Sequence, residues 1–233
     1  MMKIKLNKKI LAKNEDFAAA NRKFFKKKNL TCINMISSPG SGKTTILEQT
    51  AKALKDKIRI GVIEGDLYTK FDSERILAAG IPAIQIETKG ACHLNAEQIT
   101  NALHKLDTDN PARVRGLAKG GLDIIVIENV GNLVCPSDFD LGETARVVVL
   151  SVAEGDDKCA KYPKAFAQAD VLLINKIDLL PHLDFDIKRV KKDALKLNKD
   201  LKIFEISAKI AKGMKNWFNW LKKTADYADS ADS

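Results

Sequence analysis

The chain has 233 residues, 45% hydrophobic and 30% charged, with a formal net charge of +9. That composition supports a buried core and excludes disorder over most of the length, and no apolar run approaches the roughly 20 residues that cross a bilayer. The opening MMKIKLNKKILAKNEDF has no apolar stretch or small-residue cleavage site and does not read as a secretory signal, so a cytoplasmic location is expected.

Residues 1–30 carry +8, residues 188–223 carry +9, residues 224–233 carry −3, and the interval 31–187 carries −5. The basicity is therefore peripheral. RKFFKKKN and KRVKKDALKLNKDLK read as solvated helix faces, because no ladder of stacking aromatics accompanies them; neither nucleic acid nor membrane is expected as a partner.

In chain order, residues 1–30 are expected as a basic helical segment docked on the main domain. Asn14 is placed as its helix N-cap, with Phe17, Ala20, Phe24 and Phe25 on or near the buried face. Residues 31–223 alternate short β-rich runs (TCINMI, IRIGVIE, AIQIE, LDIIVIE, RVVVLSV, DVLLINK, KIFEIS) with helical patterns. Strands apolar on both faces and separated by helices predict a three-layer, doubly wound α/β domain with a mostly parallel sheet. LDTDNPARVRGLAKGG, residues 106–121, reads as an exposed connection. Near the end, Trp217, Phe218, Trp220 and Leu221 mark an amphipathic helix with core tryptophans, and 224–233 reads as a frayed acidic tail.

SSPGSGKTT follows the first strand and precedes a helix, the context a P-loop needs. Gly40 and Gly42 let backbone N–H groups of Ser38, Pro39's neighbours, Ser41 and Thr45 close on phosphate oxygens. Lys43 is expected to reach the β- and γ-phosphates, and Thr44 to present a hydroxyl to Mg²⁺. Ser37 stands where GxxxxGK[ST] begins with Gly. Further on, LLINKID places Asn175, Lys176 and Asp178 at the end of a buried strand, where the Asp178 carboxylate can accept the paired N–H donors of guanine, which adenine lacks. EISAK then supplies Ser207, Ala208 and Lys209, similar to the GTPase loop that offers a backbone N–H to guanine O6. GTP and GDP are the expected nucleotides.

Three acidic positions fall on the phosphate side. Asp66 and Asp72, in GDLYTKFD, are candidates for positioning water or contacting Mg²⁺; Glu128, in ENVGN, is a candidate Mg²⁺ contact, and Gly131 can donate its N–H to the γ-phosphate. No Gln or Arg finger is assignable from spacing, so slow intrinsic hydrolysis is expected.

The four cysteines form no CxxC. Cys32, in LTCINMI, reads as a buried thiol. Cys92 and His93 are adjacent in KGACHLN, and Cys135 follows Glu128 in ENVGNLVCP, so a loop that senses γ-phosphate also carries a thiol. Two thiolates and an imidazole suit Zn²⁺ or Ni²⁺ and leave a closed structural shell one ligand short. Cys159 reads as an incidental thiol.

SSPGSGKTT, GVIEGD, KGACHL, IENVGNLVCP, DFDLGE, SVAEGDDK, KYPKAF and NKIDLLP resemble, in order, the HypB family of nickel-incorporation GTPases of hydrogenase and sometimes urease maturation. The resemblance implies a SIMIBI-class P-loop NTPase that dimerises on GTP, with Lys161 reaching the partner subunit's guanine and a metal site at Cys92, His93 and Cys135 assembled between subunits. It also implies a HypA-type metallochaperone as partner and the hydrogenase large subunit as eventual client. Residues 1–30 have neither the cysteine motif nor the histidine-rich run of some members, so only the switch-linked metal site is expected. The alternative is a regulatory GTP-binding module with structural zinc, whose output is partner binding.

Overall fold

Runs such as IIVIE and VLLIN have no polar alternation and must be covered on both faces; the computed structural model, which describes residues 4–66, 71–88, 90–106 and 121–230, places them in the middle of one sheet. Its elements are α1 (Ile4–Lys27), β1 (Thr31–Ser37), α2 (Lys43–Leu54), β2 (Ile60–Asp66), α3 (Phe71–Ala78), β3 (Ala83–Glu87), α4 (Ala96–Leu106), β4 (Ile124–Glu128), β5 (Ala145–Ser151), α5 (Lys158–Lys161), α6 (Pro163–Ala167), β6 (Val171–Asn175), α7 (Ile187–Leu197), β7 (Lys202–Glu205) and α8 (Met214–Ser230). The strand order is β3-β2-β4-β1-β5-β6-β7, and every neighbouring pair is parallel. Because β4 and β5 flank β1 on opposite sides, the loop leaving β1 lies at a topological switch point, where such sheets bind ligands.

Helices cover both faces. Ile46, Leu47 and Leu54 of α2, Ile76 of α3, and Trp217 and Leu221 of α8 pack on one side. Phe25 of α1, Ile99 of α4, Phe166 of α6 and Val190 of α7 pack on the other. Trp217 is a core residue, as expected: its indole N–H donates to Thr50 Oγ1 at 2.9 Å, and Trp220 stacks on it with ring centroids 5.4 Å apart.

Two helix boundaries differ from expectation. α1 already runs through Asn14, which is therefore not its N-cap. The buried stripe is Asn14, Ala18, Asn21 and Phe25, whereas Ala20 is exposed and Phe17 and Phe24 are half-buried. The two asparagines explain the shift, because they serve as buried cross-links. Asn14 accepts from the Ala96 N–H at 2.9 Å and donates to the Asp140 carbonyl at 2.7 Å. Asn21 donates to the carbonyls of Ala96 and Leu141 at 3.0 and 2.9 Å and accepts from Thr100 Oγ1 at 2.7 Å. At the other end α8 continues to Ser230, so residues 224–230 extend a helix where an unwound tail is expected. Residues 107–120 of the expected exposed connection lie outside the described residues. Among the described residues no helix is long and apolar enough to cross a membrane.

Asn21→Ala removes three hydrogen bonds from a buried position. A loss of about 1–3 kcal/mol is expected, read as a lower urea midpoint with an unchanged slope.

Candidate nucleotide and metal site

The loop after β1 is shaped by what surrounds it. Gly42 has φ +96°, and a Cβ there would lie 2.6 Å from Asn175 Nδ2, so only glycine fits. Lys43 opens α2 and is buried, with its ammonium donating to Ser37 Oγ at 2.8 Å. The serine at the first P-loop position thus holds the lysine head. Burial lowers the Lys43 pKa, and Glu128 is the strongest of the acidic neighbours that oppose the shift. Thr44 Oγ1 donates to Glu128 Oε1 at 2.9 Å, while Glu128 Oε2 is buried without a hydrogen-bond partner. Burial pushes the Glu128 carboxyl up, and Lys43 pulls it back. A hydroxyl and a half-satisfied buried carboxylate beside a phosphate loop fit a hard cation such as Mg²⁺.

The base-side elements meet the loop directly. Asn175 Nδ2 donates to the Ser41 carbonyl at 2.8 Å, and Asn175 Oδ1 accepts from the Ala208 N–H at 3.1 Å. Lys176, in the left-handed region at φ +64°, donates to the Gly40 carbonyl at 2.7 Å. Asp178 accepts from Ser207 Oγ at 2.5 Å. NKID and SAK are therefore adjacent in space. Within the SAK loop, expected to offer a backbone N–H to guanine O6, the Ala208 N–H is bonded to Asn175, and Lys209 is exposed. Lys161 is exposed at the end of α5 and paired with Asp157 at 2.5 Å.

Asp66 ends β2, but its side chain and residues 67–70 lie outside the described residues. Asp72, in the first turn of α3, accepts from Arg75 Nη1 at 3.1 Å. Arg75 also bonds Glu48 through Nε and Nη2 at 3.0 and 2.7 Å and Thr45 Oγ1 at 3.2 Å. This arginine, absent from the sequence reading, ties α3 to the first turns of α2. Glu154 is a second omission. Its Oε1 accepts from Ser41 Oγ at 2.6 Å and the Ser151 N–H at 3.0 Å, a contact with the phosphate loop that its place in SVAEGDDK does not reveal.

The two metal-loop sequences converge. One ligand atom from each of Cys92, His93 and Cys135 lies within 4.8 Å of the others. Cys92 Sγ is 3.6 Å from His93 Nδ1, and the imidazole stacks on Phe139 with centroids 4.0 Å apart. Hydrogen bonding to Cys92, then burial, raises the Cys135 pKa. Burial lowers the His93 pKa, opposed by Asp138. A neutral imidazole and two neighbouring thiols are a fitting donor set for Ni²⁺ or Zn²⁺. Cys159 and Cys32 take no part: both are buried, and burial lifts the Cys159 pKa to about 11.

One stretch joins the two regions. Glu128 ends β4 beside Thr44. Asn129 Oδ1 accepts from the Leu94 N–H, next to His93, at 3.1 Å. Gly131 lies so close to the phosphate loop that a Cβ would be 2.9 Å from Pro39 Cα, and Asn132 forms a β-bridge with Ser37. Asn132 also accepts from the Val134 N–H, next to Cys135, at 2.8 Å. Asn129 and Asn132 are missed by a reading that looks for charged or metal-binding side chains. Their signal is an asparagine on each side of a glycine directly after a buried strand.

A parallel sheet whose switch-point glycine loop runs into a helix opened by the buried Lys43 and Thr44 is that of a nucleotide-binding protein with the P-loop NTPase fold. The family model described as "CobW/HypB/UreG, nucleotide-binding domain" matches residues 31–205. The hydrogenase maturation factor HypB of Azotobacter vinelandii is 45% identical over 220 residues, 94% of this chain and 69% of that protein. The hydrogenase/urease maturation factor HypB of Helicobacter pylori strain J99 is 43% identical over 226 residues, 96% of this chain and 90% of that protein. The crystal structure of HypB from Helicobacter pylori in complex with nickel superposes with a TM-score of 0.84 at 40% identity, covering 92% of this chain and 96% of that one. The chain belongs to the HypB family of hydrogenase maturation factors.

Proposed function

We propose that this protein is a slow GTPase that couples a GTP/GDP switch, with dimerisation on GTP, to nickel delivery in [NiFe]-hydrogenase maturation, with urease as a further client. The names of its relatives and the nickel in the Helicobacter pylori structure support that output. The observation that carries the coupling is the stretch 128–132, in which Glu128, Asn129, Gly131 and Asn132 touch the candidate cation ligand Thr44, the phosphate loop and both metal loops.

In this reading the phosphate loop and Lys43 hold the phosphates, Asp178 reads guanine, and the Gly131 N–H meets the γ-phosphate. Thr44 and Glu128, with Asp66 as a further candidate, would hold Mg²⁺, which would supply charge neutralisation for the phosphates. Asp66 or Asp72 orients water. Arg75 is held by Glu48, Asp72 and Thr45, and a guanidinium so held is not free to meet the transferred phosphoryl group, in keeping with slow turnover. Loss of the γ-phosphate frees Gly131, and Asn129 and Asn132 transmit the relaxation to Leu94 and Val134. His93 and Cys135 then shift relative to each other, and nickel, shared with a HypA-type metallochaperone, passes toward the hydrogenase large subunit. Lys161 reaches the partner subunit's guanine in the GTP dimer.

Phosphate release from GTP but not ATP tests the enzymatic half. For the coupling, Gly131→Ala forces Pro39 away; the variant is expected to keep GDP binding but lose any response of metal affinity to nucleotide. A full response in that variant would remove the stretch from the mechanism.

A further inference from the structure

A groove of about 1020 Å³ runs beneath the sheet, between α1 and α8, where Thr144 precedes β5 and Lys202 opens β7. It lies at the opposite ends of the strands from the phosphate loop and is not used by the mechanism above. Phe25, Phe204 and Trp220 give it an aromatic wall. Its charges are lopsided. The acidic residue lining it, Glu143, has a side chain only 7% exposed and already bonded to Arg146, Asn34 and the Leu141 N–H. Lys26, Lys202 and Lys223 are exposed on its rim and make no ion pair among the described residues.

We propose that this groove docks an acidic amphipathic segment of a protein partner, its apolar side chains against Phe204 and Trp220 and its carboxylates against Lys26, Lys202 and Lys223. Three observations select that occupant. The volume is at the upper end of small-ligand pockets, and among the described residues no buried side-chain polar group lining it is left without a partner, as a small-molecule site would require. The apolar surface is a concave trough, which a flat bilayer does not enter. Phe25 is buried and Phe204 and Trp220 are half-buried, so the wall offers no run of exposed stacking platforms for RNA, whereas an aromatic anchor inside a charged rim is the usual anatomy of a protein interface. Docking there leaves the nucleotide and metal loops open, so a partner and GTP can be held together.

The test is selection of linear peptides from a random display library on the full chain, followed by titration of an enriched peptide against tryptophan fluorescence, since Trp217 and Trp220 are the protein's two tryptophans. Enrichment of acidic sequences with aliphatic or aromatic anchors is expected, with a change in Trp220 emission on binding. The double variant Lys26→Glu, Lys223→Glu should weaken that peptide by roughly tenfold or more while leaving GTP turnover unchanged. The control Lys192→Glu, an exposed lysine on α7, should leave peptide binding intact. No enrichment, enrichment of basic peptides, or equal binding by the double variant would overturn the proposal. Salt-sensitive binding of homopolymer RNA that the same double variant abolishes would overturn it in favour of nucleic acid.

Discussion

Asp178→Asn will cost the protein about 10³–10⁴-fold of its preference for GTP and make xanthosine triphosphate the better ligand. A carboxylate offers two acceptors to the N1–H and exocyclic N–H of guanine. The carboxamide keeps one acceptor but turns a donor toward the exocyclic donor, leaving both unsatisfied; xanthine carries a carbonyl at that position and restores the match. The substitution is mild for the fold, because the Asn carbonyl can still accept from Ser207 Oγ, the bond Asp178 makes at 2.5 Å. Competition among GTP, ATP and xanthosine triphosphate for the variant measures the outcome. Unchanged preference for GTP would mean that the base is read elsewhere.

Cys135→Ala will lower Ni²⁺ affinity by about 100-fold or more. Disturbing a group that merely supports a metal ligand costs 10–100-fold, and this change removes one of three clustered donors. Affinity in the unaltered chain should also fall with decreasing pH. The metal needs thiolates, and contact with Cys92 and burial hold the Cys135 thiol protonated above its ordinary range, so binding must expel that proton. Affinity therefore rises as pH climbs toward the raised thiol pKa and is lost as pH falls. His93 adds little to this slope near neutrality, because burial lowers its pKa and the imidazole is already neutral. Metal titrations of both chains at two pH values check the affinity and its slope.

The sheet and the phosphate loop were legible because their signals are local: buried strands read as continuous apolar runs, and the glycine loop sits between a strand and a helix. Cys92, His93 and Cys135 were legible as residue types, and the fold brings them within 4.8 Å. The connecting residues were not. Asn14, Asn21 and Asn129 act through carbonyl and N–H groups distant in sequence, Asn132 bridges back to Ser37, and an asparagine in a helix or after a strand looks like a surface or cap residue until its partner is placed. The same blindness put the start of α1 at Asn14. Arg75 escaped for a related reason, since its partners Glu48 and Thr45 lie on another helix.

The central claim is that the stretch from Glu128 to Asn132 makes metal affinity depend on nucleotide. The most direct measurement is Ni²⁺ affinity of the purified chain, once with GDP and once with a non-hydrolysable GTP analogue. A change of about tenfold, which corresponds to about 1.4 kcal/mol of coupling, is predicted, and it should vanish in Gly131→Ala. Equal affinity in the two states would contradict the account and leave a GTP-binding protein whose metal is structural and whose output is partner binding.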